Sequence, residues 1–69
     1  VDVVSYNSMI DGLLKNNQVE DAKLLFQELK QKNIVDVVSY NSMIDGLLKN
    51  NQVEDAKLQF QELKQQNIV

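Results

Sequence analysis

Residues 1–34 read VDVVSYNSMIDGLLKNNQVEDAKLLFQELKQKNI, and residues 35–68 repeat this stretch at all but two positions. The two differences are Leu25 against Gln59 and Lys32 against Gln66. A period of 34 residues is typical of helical solenoids, in which each repeat is one supersecondary unit that packs on the next. The repeat therefore predicts an all-α fold. The near-identity of its two copies indicates either a recent duplication or a designed or reconstructed protein, and we favour the second.

The first helix of each repeat has clear start and stop signals. Asp2 and Asp36 are favourable N-cap residues. The helix after Asp2 is expected to run to about Lys15. Asn16 and Asn17 should end it, because asparagine tolerates the left-handed conformation found after helices.

The second helix of the repeat is expected to begin near Gln18 and to run to about Lys32. Asn17 and Glu20 resemble a capping box at its start, because they stand three residues apart. Asn33 is expected to end this helix in the same way as the first.

These signals predict one domain over residues 1–69, built as a helical-hairpin repeat (α-solenoid). Repeat one is residues 1–34 and repeat two is residues 35–68, each with two antiparallel helices. A chain of this length buries only ~60% of its extended surface. Helices this short depend on tertiary packing rather than on helix propensity.

The first helix should bury one broad apolar face, at about 100° per residue. Six residues share that face: Val3, Tyr6, Met9, Ile10, Leu13 and Leu14. Val4 and Val38 fall on the opposite, polar side. Tyr6 and Tyr40 are expected in the core with their hydroxyls at its edge. The small residue Gly12 should let a neighbouring helix approach closely.

On the second helix, Leu25 and Lys32 lie seven residues apart and so share one stripe. That stripe in repeat one is expected to meet repeat two. Gln59 would then make the exposed end of the last repeat polar, as terminal repeats require. Leu24 and Leu58 face outward, and we interpret them as scattered surface residues rather than as contacts for self-association.

The composition excludes several classes of function. Cysteine, histidine and arginine are absent, and ten acidic residues against seven lysines give a net charge of −3. Without histidine, no serine has its usual activating base. No metal-ligand spacing or phosphate-binding loop occurs. We therefore expect no enzyme, no cofactor and no membrane partner, and little nonspecific attraction to nucleic acid.

The repeat resembles a pentatricopeptide repeat (PPR). The residues that carry the resemblance are the VVSYN opening at 3–7, the run Ile10–Asp11–Gly12–Leu13, and Ala22, Phe26 and Leu29. It covers essentially the whole chain, twice. It implies a right-handed superhelix whose first helices line a groove for single-stranded RNA, at one base per repeat. It also implies a mitochondrial or plastid location, although no transit peptide is recognisable.

The resemblance further implies which residues contact a base. Asn7 paired with Asp36 would select the base, with uracil preferred. Asn41 would pair with a residue that follows Val69. Val4 and Val38 would hold the base between them. Each residue also has a plainer interpretation: Asp36 as a helix cap, the asparagines as solvated residues and the valines as isolated surface residues.

The closing turn departs from the family pattern. It reads NIVD at residues 33–36, without the glycine and proline of the family, and the repeat is one residue shorter than the family's usual unit. Two hypotheses follow. The chain is a minimal two-repeat RNA-binding module of weak affinity, or it is a structural repeat scaffold without RNA binding. In either case the uncapped repeat ends predict self-association, by end-to-end stacking or by exchange of hairpins.

Overall fold

The computed structural model describes residues 2–66 and places four α-helices in them. The helices are α1 (Val3–Lys15), α2 (Val19–Gln31), α3 (Val37–Lys49) and α4 (Val53–Gln66). Helices α1 and α2 form one hairpin and α3 and α4 form the next, while α3 also packs against both helices of the first. The predicted all-α fold of two helical-hairpin repeats is confirmed. Among these four helices, none is long and apolar enough to cross a membrane.

The predicted N-caps of the first helices are confirmed. The Asp2 carboxylate accepts a hydrogen bond of 3.0 Å from the backbone N–H of Ser5. The Asp36 carboxylate accepts one of 2.9 Å from the backbone N–H of Ser39. At α3 the Ser39 hydroxyl also accepts from the Asp36 backbone, which completes a capping box.

Asparagine ends the helices as predicted. Asn17, Asn33 and Asn51 have φ angles of 62°, 62° and 64°, in the left-handed region. At the end of α1, the N–H of Asn17 donates to the Leu14 carbonyl and that of Gln18 to the Leu13 carbonyl. This pair of bonds is the Schellman arrangement, which satisfies carbonyls that the helix itself leaves unpaired.

The capping box predicted at the start of α2 is wrong. Gln18 is the N-cap of α2, and its side chain makes no capping hydrogen bond. Asn17 cannot act as that cap because its left-handed backbone closes α1 instead. The helix dipole at this end is complemented by Glu20 and Asp21 in the first turn.

The two hairpins meet at an inter-repeat boundary with close packing. The rings of Phe26 and Tyr40 lie edge to face, with centroids 5.1 Å apart. A Cβ atom placed on Gly46 would come within 2.8 Å of Leu14 Cβ and Cγ. Only a residue without a side chain lets α1 and α3 approach this closely. The close approach predicted at Gly12 thus occurs at its counterpart Gly46, and not at Gly12, where a Cβ would meet no other atom of residues 2–66 within 4 Å.

Equivalent residues of the two repeats differ in burial. In α1, Tyr6 and Leu13 are half-buried and Met9 is 57% exposed, whereas their counterparts Tyr40, Leu47 and Met43 are buried against repeat one. The prediction that Met9 lies in the core is therefore wrong. Its face of α1 would meet a preceding repeat, and no such repeat occurs among residues 2–66. The prediction of a core tyrosine with its hydroxyl at the edge is confirmed for Tyr6, whose hydroxyl donates to the Glu28 carboxylate.

For Tyr40 the core placement is confirmed, but the prediction of a hydroxyl at the edge is wrong. The residue is fully buried, and its hydroxyl has no hydrogen-bond partner within the described part of the chain. Burial, followed by the negative charge of Glu62, raises the pKa of the Tyr40 phenol. Glu62 itself accepts bonds from Lys30 at 2.9 and 3.1 Å.

The prediction that Gln59 is a C-terminal polar cap is also wrong. Gln59 lines a cavity at the inter-repeat boundary with Phe26 and Met43. Its Oε1 is buried and has no partner among residues 2–66. Leu25 correspondingly lies beside Tyr6 and Met9, on the side of repeat one that faces away from repeat two.

Each end of the molecule therefore has a partly exposed apolar surface. We define the N-terminal face by Tyr6, Met9, Leu13 and Leu25. We define the C-terminal face by Ile44, Leu48 and Phe60, the counterparts of the buried residues Ile10, Leu14 and Phe26.

Candidate nucleic-acid interface

Two exposed valines flank an open groove between α1 and α3. Val4 is 67% exposed and Val38 is 54% exposed, each in the first turn of its helix. The residues that line the groove with them are Asn7, Ser8, Asp11, Asp36 and Ser42. Four of the five site residues expected from the sequence thus lie around one groove. The fifth, Asn41, is exposed and lies outside this groove.

The floor of the groove is a hydrogen-bonded network of three side chains. Ser39 Oγ lies 2.6 Å from Oδ1 of Asn7 and 2.9 Å from Oδ1 of Asp36. Ser39 is completely buried and Asn7 is only 9% exposed. The network therefore links Asn7, in the first helix of repeat one, to Asp36 and Ser39 at the start of repeat two.

One hydroxyl has one hydrogen, so Ser39 cannot donate to both of its neighbours. The shorter contact is the one in which the Ser39 hydroxyl donates to Oδ1 of Asn7, while Asp36 also accepts from the Ser39 backbone N–H at 2.9 Å.

The ionised form of Asp36 is favoured. Burial by itself raises the pKa of this carboxyl group, but hydrogen bonds from the Ser39 backbone and hydroxyl, and from Asn7, outweigh burial. The net result is a pKa below the ordinary value of 3.8. At neutral pH, Asp36 is thus a charged acceptor at the start of α3.

Sequence reasoning missed Ser39. The available signal was its position three residues after the N-cap Asp36, where a side chain commonly returns to the cap. The missing information was tertiary, since Ser5 has the same local sequence and is exposed. Only the packing of α3 against α1 places Ser39 beside Asn7.

The lysines along the groove are paired. Lys15 lies 3.0 Å from Asp11, and Lys49 lies 3.1 Å from Asp45, each one turn away on its own helix. These four residues lie along the continuation of the groove, together with Asn50. Within residues 2–66, no cluster of three or more acidic, histidine or cysteine side chains could hold a metal ion.

The PPR repeat family matches the chain twice, over residues 1–35 and 35–69. The two matched ranges share Val35, so the family unit is one residue longer than the 34-residue spacing in this chain. Comparison with curated proteins gave no match. Members of this family are typically non-enzymatic RNA-binding helical repeats. Because the matches cover the whole sequence, the chain belongs to the PPR repeat family.

Proposed function

We propose that the chain binds single-stranded RNA with one base inserted between Val4 and Val38. One observation carries the proposal: two exposed valines line one groove with the buried Asn7 and the half-buried Asp36, both of which contact the Ser39 hydroxyl. Apolar side chains on both sides of a base replace the stacking that it loses in a single strand. The amide between them supplies hydrogen bonds to its Watson–Crick edge.

Uracil is the base that suits this site. Uracil offers an N3–H donor beside carbonyl acceptors, whereas cytosine offers an acceptor at N3. Ser39 donates to Oδ1 of Asn7, so the amide N–H groups of Asn7 are directed away from Ser39. One of these N–H groups donates to the O4 carbonyl of uracil, where cytosine has an amino donor instead. The ionised Asp36, which accepts from Asn7, acts as a positioning residue that sets the orientation of the amide.

The affinity of the two-repeat chain should be low. Stacking contributes ~1–3 kcal/mol per base, and residues 2–66 contain one complete pair, Asn7 with Asp36. The costs of association offset most of that gain. The lysines nearest the groove, Lys15 and Lys49, are already paired with carboxylates. We expect binding to be millimolar at best.

Nuclear magnetic resonance of the 69-residue chain measures binding in that range. Titration with oligo-U should shift the Val4 and Val38 methyl signals and the Asn7 side-chain amide, and oligo-A should shift them less. Val38→Ser should abolish these shifts. Val53→Ser is the matched control, because Val53 is a partly exposed valine at the start of α4 and outside the groove.

The base preference is tested separately, in an array extended to eight or more repeats. Wild-type arrays should bind oligo-U more tightly than oligo-C. Asp36→Asn in every repeat should reduce that ratio, because a neutral amide holds the Asn7 side chain less firmly than a carboxylate does. Equal binding of oligo-U and oligo-A would contradict base selection. No binding by the array would favour the second candidate, a structural scaffold, which the net charge of −3 also favours.

A further inference from the structure

The two end faces of the molecule are equivalent to the two surfaces that meet at its own inter-repeat boundary. The C-terminal face (Ile44, Leu48 and Phe60) has the same residues that repeat one buries against repeat two. Three residues of the N-terminal face, Tyr6, Met9 and Leu13, are the counterparts of those that repeat two buries against repeat one. The surfaces exposed at opposite ends are therefore already known to fit each other.

We propose that the C-terminal face of one chain binds the N-terminal face of a second copy. This contact is head to tail, and it uses different surfaces on the two partners. Such heterologous contacts generate rings or open helical chains rather than a symmetric dimer. The assembly continues the solenoid, with one chain adding two repeats.

Charges on the two faces are complementary. At the inter-repeat boundary, Lys23 lies 2.8 Å from Asp55, and Lys30 lies 2.9 Å from Glu62. The counterparts of the lysines are Lys57 and Lys64, in repeat two. The counterparts of the acids are Asp21 and Glu28, in repeat one. Stacking brings each lysine to an acid of the next chain.

The lysine beside the C-terminal face is already in position. Lys64 Nζ lies 5.0 Å from the centre of the Phe60 ring, the same distance as Lys30 Nζ from Phe26. The side-chain arrangement of the buried boundary is thus present on the exposed face before a partner binds. Little reorganisation is needed on that side.

The backbone on the N-terminal face has room for a partner. A Cβ on Gly12 would meet no other atom of residues 2–66 within 4 Å, whereas at Gly46 it would collide with Leu14. Gly12 therefore leaves space for the Leu48 side chain of the preceding chain. Asn50 donates to two carbonyls, those of Gly46 and Leu14, both at 2.8 Å.

The side-chain amide of Asn16, the counterpart of Asn50, makes only the bond to Gly12 within the described residues. The second N–H of the Asn16 amide is positioned for the Leu48 carbonyl of the preceding chain. Residues Gly12 and Asn16 thus repeat, on the exposed face, a packing and hydrogen-bonding pattern that the inter-repeat boundary already uses.

One residue makes the contact between chains more favourable than the boundary within a chain. At the inter-repeat boundary, Gln59 buries an Oε1 atom that has no partner in residues 2–66. At the same position of the N-terminal face stands Leu25. A leucine there adds apolar contact without burying an unpaired polar atom. The difference between the repeats therefore favours association.

Stacking also completes a second base site, a consequence that rests on the proposed function. Asn41 is exposed and outside the groove between α1 and α3. In the stacked pair, Asp2, Val4 and Ser5 of the next chain take the places that Asp36, Val38 and Ser39 take beside Asn7. Asn41 of one chain and Asp2 of the next then form a second base-selecting pair.

Sedimentation without RNA tests the stacking independently of the proposed function. The average mass of the wild-type chain should rise steadily from micromolar to millimolar concentration without stopping at two chains. A chain that stays monomeric over this range overturns the proposal. So does a dimer that saturates, because exchange of hairpins or a symmetric face-to-face contact closes at two copies.

Two blocked variants test the direction of the contact. Met9→Glu places a charge on the N-terminal face, and Leu48→Glu places one on the C-terminal face. Both residues are at least half exposed, so each variant should keep its helical content by circular dichroism. Each variant alone should be monomeric, and their mixture should form a 1:1 complex. If either variant alone still self-associates, or if their mixture stays monomeric, the head-to-tail contact is overturned.

Leu24→Glu is the matched control, because Leu24 is 68% exposed and lies on neither end face. It should leave the rise in mass unchanged. Gly12→Ala should lower association at least several-fold although the monomer has space for the methyl group. If Leu24→Glu abolishes assembly and Leu48→Glu does not, the contact uses the outer surface of the second helices instead.

Discussion

Ser39 Oγ lies 2.6 Å from the side-chain amide of Asn7, although 32 residues separate them in the chain. The contact joins α3 to α1 and is buried on both sides. It gives the Asn7 amide a fixed neighbour within repeat two, so the orientation of this side chain depends on the following repeat. The proposed base-selecting pair is therefore a feature of the boundary between two repeats rather than of either repeat alone.

Loss of the Ser39 hydroxyl should destabilise the fold, whereas loss of the equivalent Ser5 hydroxyl should not. Ser39→Ala deletes a buried hydroxyl and leaves the Asn7 amide without its partner, so we expect a loss of about 1–3 kcal/mol in the free energy of unfolding. Ser5→Ala is the matched control, because Ser5 is the exposed counterpart in repeat one. Urea denaturation at low protein concentration measures both. Equal losses would show that the helix cap matters and the contact does not.

The two glycines should respond with opposite signs to the same substitution. Gly46→Ala forces α1 and α3 apart at Leu14, and overpacking of this kind costs about 1–3 kcal/mol. Gly12→Ala meets no atom of the described chain, so the better helix propensity of alanine should stabilise the monomer by about 0.5–1 kcal/mol. Thermal or urea unfolding of dilute protein gives both values. Destabilisation of the dilute monomer by Gly12→Ala would contradict the difference.

The sequence predicted what depends on local chemistry. The N-caps and the left-handed asparagines follow from single residues and their neighbours, and Val4 was recognised because it breaks the polar face of its helix. The sequence could not separate residues that are identical in the two repeats. Met9 and Met43 have the same local sequence and opposite burial. Their difference comes only from the order in which the hairpins stack.

The same limit explains the wrong interpretation of Gln59. Helical periodicity placed Leu25 and Lys32 on one stripe, but it did not determine which side of the hairpin that stripe faces. The candidate site was inferred through the resemblance, which supplied Asn7 and Asp36, and its role in base contact stays a prediction. Ser39, which connects them, was missed because its burial requires two helices that are remote in sequence.

Acid should weaken the fold through Asp36. Its pKa in the folded chain is lowered, so its stabilisation is complete above the ordinary value of 3.8 and is lost as the pH falls through the lower, folded value. Asp36→Asn keeps an N-cap residue but has no carboxyl group to titrate. The difference in unfolding free energy between wild type and Asp36→Asn should therefore shrink as the pH falls below 3.8. Thermal unfolding followed across that range by circular dichroism measures this difference, and a constant difference would contradict the lowered pKa.

Removal of the acidic partners of the groove lysines should strengthen RNA binding. Asp11 and Asp45 lie 3.0 and 3.1 Å from Lys15 and Lys49 along the groove. Exposed pairs of this kind contribute only about 0.3–0.5 kcal/mol to a helix, so Asp11→Asn with Asp45→Asn should leave the fold intact. The freed lysines can then contact phosphates, and the affinity for oligo-U should rise several-fold at low salt.

The matched control for this double variant is Glu20→Gln with Glu54→Gln. It also removes two acidic partners of lysines, Lys23 and Lys57, but on the second helices and away from the groove. Titration at two salt concentrations separates the effects, because added salt screens exposed charges within about 10 Å at 0.1 M. The groove variant should gain affinity and a steeper salt dependence, while the control gains little. Equal gains would assign the effect to net charge alone and remove the groove lysines from the RNA contact.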